Sequence, residues 1–150
     1  MIPKIIHLTY KSKNPQDFPE RCVACFQSVE KYFLPAGYRI EISDDADMDA
    51  TVKAFDPKLF ELYKAQPIIV RTDIWRIVVL YTKGGYYMDT DVLWEKSPIA
   101  FLEACESGAI VCQEKIGCAL STHMFKEPPI RLSNYFFACE KGHWFFKKLI

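Results

Sequence analysis

The run Gly84-Gly85-Tyr86-Tyr87-Met88-Asp89-Thr90-Asp91 limits what this chain can fold into more than any other segment. It reads as a tight turn, a short apolar strand and two carboxylates offered at the strand's end. In an extended segment residues two apart share a side, so the spacing predicts that Asp89 and Asp91 converge while Thr90 faces away. Hard divalent cations take oxygen ligands, commonly one or two protein carboxylates with water and phosphate oxygens filling the remaining positions. The pair therefore suggests a place to hold a metal-bound phosphate. Upstream, Ile74, Ile77, Val78 and Tyr81 recur at the spacing of an amphipathic helix, which predicts a helix over Ile68 to Lys83. Gly84, just past the last periodic residue and behind Lys83, is its stop signal.

Asp-x-Asp is weak evidence by itself, because it also occurs at Asp45/Asp47 and Asp47/Asp49. No strand leads into that acidic stretch, and its Ser and Asp residues suit the cap and first turn of a following helix. As a calcium loop it fails at Ala50, where the sharp turn needs glycine, and at Asp56, where a bidentate Glu is expected. On the predicted helix Asp73 and Arg76 flank the apolar stripe and can meet on one face. A plain surface pair of that kind contributes only roughly 0.2–0.5 kcal/mol.

Taken together, Arg71-Thr72-Asp73-Ile74-Trp75-Arg76, Leu80-Tyr81 and Gly84 to Val92 resemble the signature of the DXD-containing sugar transferases of glycosyltransferase family 32. That signature runs Ser-Asp-x-x-Arg, a helix ending in Leu-Tyr, then Gly-Gly-x-Tyr-x-Asp-x-Asp-Val. Ile2-Pro3-Lys4-Ile5-Ile6-His7-Leu8-Thr9-Tyr10 is similar to the family's opening strand, with Leu8 and Tyr10 in place of Gln and Trp. Near the other end, Leu132 to Ala138 with Gly142-His143 resembles the segment that places an Asn before an apolar strand and a Gly-His-Pro turn after it. Trp144 stands where the proline would be.

The resemblance implies a GT-A-like single α/β domain over residues 1–150, a mixed, mostly parallel sheet flanked by helices. It implies Mn²⁺ or Mg²⁺, with Asp91 as direct ligand and Asp89 on the donor's ribose and on the metal. Asp73 and Arg76 would contact the donor sugar, giving Asp73, Arg76, Asp89 and Asp91 as the catalytic set. Thr9, Tyr10, Tyr87 and Asp89 are expected at the donor, where the Tyr10 ring can stack on the base as readily as it can pack as a strand-end aromatic. The implied activity is transfer of a hexose from a UDP- or GDP-linked donor to a glycan, lipid or protein acceptor, with retention at the anomeric carbon. The rival reading is a nucleotide-sugar-binding or degenerate module without transfer. Most relatives continue beyond the point where this chain ends, so a further expectation is a domain lacking a C-terminal portion that relatives carry.

The rest of the chain agrees. Lys4 to Thr9, Tyr38 to Ile42, Ala109 to Cys112 and Asn134 to Ala138 read as strands. Arg21 to Phe33, Met48 to Tyr63 with a break at Asp56-Pro57, Ser97 to about Cys105 and a segment from His143 read as helices. Glu114 to Arg131 reads as a long connection. Equal numbers of acidic and basic side chains, 19 each, leave no footprint for nucleic acid. No apolar run approaches the roughly 20 residues of a membrane span, and Met1-Ile2-Pro3-Lys4 opens directly into a strand, so a cytoplasmic protein is expected. Cys22 and Cys25 have the spacing of a zinc half-site or redox pair. They lack partners, and on a helix the same spacing puts two small hydrophobes on one face, so buried free thiols are expected. His7 and His143 read as structural, and Trp75, Trp94 and Trp144 as core or lid anchors, with Trp94 near the acceptor side.

Overall fold

A computed structural model describes residues 1–113 and 132–150. The connection expected over 114–131, with Cys118 and His123, lies outside the described residues.

Strand β1 (Ile5–Thr9) leads to helix α1 (Glu20–Phe33), which returns through Gly37 to β2 (Arg39–Ser43). Helices α2 (Asp45–Phe55), α3 (Pro57–Lys64) and α4 (Ile68–Lys83) follow, then β3 (Gly85–Met88). Helix α5 (Ile99–Glu103), strands β4 (Ala109–Gln113) and β5 (Leu132–Cys139) and helix α6 (Trp144–Leu149) complete the described elements. The sheet order is β2-β1-β3-β5-β4. β1 pairs parallel with β2 and β3, while β5 runs antiparallel to β3 and β4, so only β5 opposes the common strand direction. This is the mixed, mostly parallel α/β sheet anticipated above.

Alternation along the strands divides the core between two faces. Ile6, Leu8, Tyr86, Met88, Phe136 and Ala138 pack on one side against Val29 and Phe33 of α1 and Leu102 of α5. Tyr87, Phe137 and Cys139 pack on the other against Met48, Val52, Tyr63, Trp75, Val79, Leu80 and Phe146. Trp75 is fully buried and Trp94 packs edge-on to Phe33 and Phe136, whereas Trp144, expected as an anchor, is 63% exposed. Its aromatic neighbours are His143 and Phe145 within its own turn, so the short terminal helix buries Phe146 instead.

The acidic stretch is a capped helix start. Asp44 accepts from the Asp47 amide at 3.0 Å and Asp47 accepts in return from the Asp44 amide at 3.2 Å, a reciprocal capping box. Residues 45–55 are helical, which excludes a calcium loop there. Asp56 breaks the helical run and caps α3 through the amides of Lys58 and Leu59, with Pro57 at its first position. Cys22 and Cys25 are buried on α1, and the described cysteines are free. No helix among the described residues is long and apolar enough to cross a membrane.

The Gly-Gly turn that launches β3 is held by close backbone approach. Gly85 has φ +108°, and a Cβ there would sit 2.6 Å from the Ile5 carbonyl and 3.1 Å from His7 Nε2. Gly84 has φ +69° and a Cβ on it would meet the Lys141 amide at 2.7 Å. His7, 1% exposed on β1, donates from Nε2 to the Gly84 carbonyl at 2.9 Å, which sets its neutral tautomer. Its Nδ1 faces Glu41 at 3.7 Å. The opening-strand histidine and the Gly-Gly turn are thus one contact, and His7 is structural as expected.

Replacing Gly85 with Ala is expected to cost about 2 kcal/mol or more, from backbone strain and the collision with Ile5. Chemical denaturation checks this, and an unchanged midpoint would contradict the packing. Burial depresses the His7 pKa against the opposing pull of the Gly84 carbonyl and Glu41, with Lys83 and Arg39 also nearby and reinforcing the depression. The unfolded chain therefore takes up the proton more readily than the folded one, so His7's contribution is complete above about pH 6.5 and is lost as pH falls below it. Thermal melts from pH 7.5 to 5 should fall less steeply for His7→Gln, which keeps a donor for Gly84, than for the wild type.

Candidate active site

The C-terminal ends of parallel strands β1 and β3 lie side by side, and their outgoing chains diverge, β1 towards α1 and β2 and β3 towards α5. In open α/β sheets ligands bind in the crevice at such a switch point. The sequence-selected residues collect at this edge. α4 enters β3 through a reversal, so its middle turns, with Asp73 and Arg76, lie over the end of β3 from which Asp89 projects.

Arg76 is the centre of the cluster. It is only 5% exposed, deeper than the wheel boundary where the sequence places it. Nη2 contacts Asp73 Oδ1 at 3.0 Å one helical turn back, and Nη1 contacts Asp89 Oδ1 at 3.3 Å. Nη1 also donates to the backbone carbonyl of Asn134 at the start of β5, and the guanidinium lies 4.5 Å from the centre of the Tyr87 ring. The Tyr87 hydroxyl donates to Asp89 Oδ1, and the Asn134 side-chain amide donates to Asp73 Oδ1 at 3.4 Å. One guanidinium therefore ties α4, β3 and β5 together.

The carboxylate pair departs from the strand geometry expected of it. β3 ends at Met88, and the Val92 amide donates to the Asp89 carbonyl at 3.2 Å, closing a turn over Asp89-Thr90-Asp91-Val92. Strand alternation therefore does not bring Asp89 and Asp91 together; the turn places them at the strand's mouth. The Asp89 amide donates to the Tyr135 carbonyl at 2.9 Å, while Asp91 is exposed. The Asp89 carboxyl is held above the usual carboxylate range, chiefly by burial and further by Asp91 and Asp73, against the hydrogen bond from Tyr87 and the charge of Arg76.

These features suit a divalent cation. Asp73 and Asp89 share a single guanidinium and the charge of Asp91 is felt at Asp89, so the cluster carries excess negative charge. Among the described residues Asp89 Oδ1 takes both polar contacts, leaving Oδ2 and the Asp91 carboxylate as hard oxygen donors. Among the described residues no group of three or more His, Cys, Asp or Glu can hold a metal by itself. A pair of carboxylates with the remaining positions left to water and phosphate is the arrangement such ions accept.

The other residues expected at the donor make contacts within the protein. The Thr9 hydroxyl donates to the Ser43 carbonyl at 2.9 Å and lies 3.2 Å from Met48 Sδ. Tyr87 is 1% exposed and spends its hydroxyl on Asp89. Tyr10 is half-buried, packed edge-on to Phe18 at 4.8 Å with Lys11 above its ring. Asn134 joins the cluster although the local pattern assigned it no part; its one signal was a place before an apolar strand.

Residues 19–110 match the family model described as glycosyltransferase sugar-binding region containing DXD motif. Inositol phosphoceramide mannosyltransferase 3 of Schizosaccharomyces pombe is 34% identical over 92 residues, which cover 61% of this chain and 24% of that protein. The chain thus spans about a quarter of the length of that curated relative. A solved structure, PaToxG Glycosyltransferase, superposes with a TM-score of 0.56 at 18% identity, covering 98% of this chain and 58% of that one, which shows a shared fold. With the family match spanning α1 through the carboxylate turn and into β4, this chain belongs to the DXD-containing glycosyltransferases.

Proposed function

We propose that the chain carries the donor site of a metal-dependent hexosyltransferase that uses a UDP- or GDP-linked sugar and acts with retention. The observation that supports this reading is the cluster of Asp73, Arg76, Asp89 and Asp91 at the mouth of β1 and β3. Asp89 and Asp91 are the residues to hold Mn²⁺ or Mg²⁺. When bound, such an ion supplies positive charge that offsets the charge developing on a departing diphosphate. Arg76 keeps Asp89 oriented and ionisable through its direct contact. Asp73, 43% exposed, has acceptor capacity for sugar hydroxyls beyond its bonds to Arg76 and Asn134. Tyr10 offers the donor's base a partly open ring at the end of β1. The name of the fission-yeast relative makes a mannosyl donor the first to try and an inositol phosphate headgroup the first acceptor, alongside glycan and protein acceptors.

Asp91→Asn is expected to abolish Mn²⁺-dependent binding of a nucleotide sugar while leaving thermal unfolding unchanged, since the side chain is exposed. Calorimetric titration with UDP-glucose, UDP-galactose and GDP-mannose, with Mn²⁺ and again with EDTA, reads this directly. Full metal-dependent binding by the variant would sink the assignment, whereas donor binding without turnover on every acceptor tried would favour a binding module. Arg76→Ala leaves Asp73 and Asp89 without their cation. We expect a loss of about 2 kcal/mol in urea unfolding, less than for a fully buried pair because both carboxylates are partly solvated. Arg76→Lys should recover part of that stability and little of the donor affinity, since an ammonium cannot span both carboxylates and the Asn134 carbonyl.

A further inference from the structure

Asp91 is the exposed half of the carboxylate pair, and among the described residues its side chain has no hydrogen-bond or ion-pair partner. Its position therefore follows from the backbone on either side. On the N-terminal side that backbone is held by the Asp89 amide on Tyr135 and by the Asp89 side chain on Tyr87 and Arg76. On the C-terminal side residues 92–98 form no helix or strand, so ladder hydrogen bonds do not hold them.

Two side chains of α1 take over that task. The Ser28 hydroxyl, 8% exposed, accepts from the Trp94 backbone amide at 3.0 Å and donates to the Cys25 carbonyl at 2.6 Å. The Tyr32 hydroxyl, one helical turn along on the same face, donates to the Glu95 backbone carbonyl at 3.1 Å. Consecutive loop residues thus have an amide and a carbonyl bound to one stripe of α1. The Trp94 ring is seated between Phe33 and Phe136, with its indole N–H on Met88 Sδ at 3.5 Å. Asp91 also lies close enough to α1 for its charge to reinforce the effects of burial and Cys22 on the Cys25 thiol.

We propose that Ser28 and Tyr32 are positioning residues that clamp the loop after the carboxylate turn and so set where Asp91 presents its oxygens. This rests on the donor-site reading above. A merely structural pair would be felt in global stability; a clamp on one loop is felt in that loop and in the ligand that Asp91 meets.

The test uses the full chain with Ser28→Ala, Tyr32→Phe and the double variant, none of which adds bulk. Amide hydrogen exchange is read first, without metal or donor. The double variant should exchange faster at 92–95 while β1, β3 and α4 keep wild-type protection. Calorimetry with Mn²⁺ and the donor that the wild type binds should then show about tenfold weaker metal-dependent binding in the double variant, from two lost hydrogen bonds of ordinary strength. Ser28→Thr, which keeps the acceptor, should restore most of it. Wild-type exchange at 92–95 in the double variant overturns the clamp. So does faster loop exchange with unchanged metal-dependent affinity, which leaves the donor-site reading standing. Absence of any metal-dependent donor binding by the wild type overturns both.

Discussion

A buried guanidinium makes its surroundings answer to it. Arg76 is almost wholly removed from water, and a charge in that position is tolerated only with partners that compensate it. It finds Asp73 on its own helix, Asp89 beyond β3, the Asn134 carbonyl at the head of β5 and the face of Tyr87. They come from three stretches of chain, α4, the end of β3 and the start of β5, so satisfying one charge ties α4 to the sheet and β5 to β3. Asp89, one of the carboxylates that compensate Arg76, also feels the charge of the exposed Asp91, so the structural demand of the guanidinium and the proposed ligand site share a residue.

The Gly-Gly turn does complementary work at the other end of β3. With His7 bonded to Gly84 and no room for a Cβ at Gly85, β3 is drawn tightly against β1. Two parallel strands held that closely end together, and Tyr10 and Asp89 each follow directly from one of those ends. A turn then follows β3 in place of further strand, and α1 receives the chain that leaves the turn. The segment that carries Asp91 thus runs between the sheet, through Asp89, and helix α1, through Trp94 and Glu95.

Much of this was legible in the residues. The helix ending at Gly84, the alternation of Tyr86, Tyr87 and Met88 between two faces, the capping by the acidic stretch at Asp44 and the break at Asp56-Pro57 all follow from local chemistry. Where reading along the chain went astray, a neighbour had intervened. The carboxylates leave the strand because Val92 closes a turn on Asp89, and Trp144 is exposed while Phe146 occupies the core.

By itself the sequence determined the elements, their buried faces, the Gly-Gly turn and the choice of Asp73, Arg76, Asp89 and Asp91, because each is written in spacings of two to four residues or in a recognisable signature. Only the tertiary structure decided that Arg76 reaches Asp89 thirteen positions away and Asn134 fifty-eight away, and that Ser28 holds Trp94 across sixty-six. Such contacts depend on strand order and register. Side-chain periodicity tells each segment which face to bury and does not tell it which segment it will meet there.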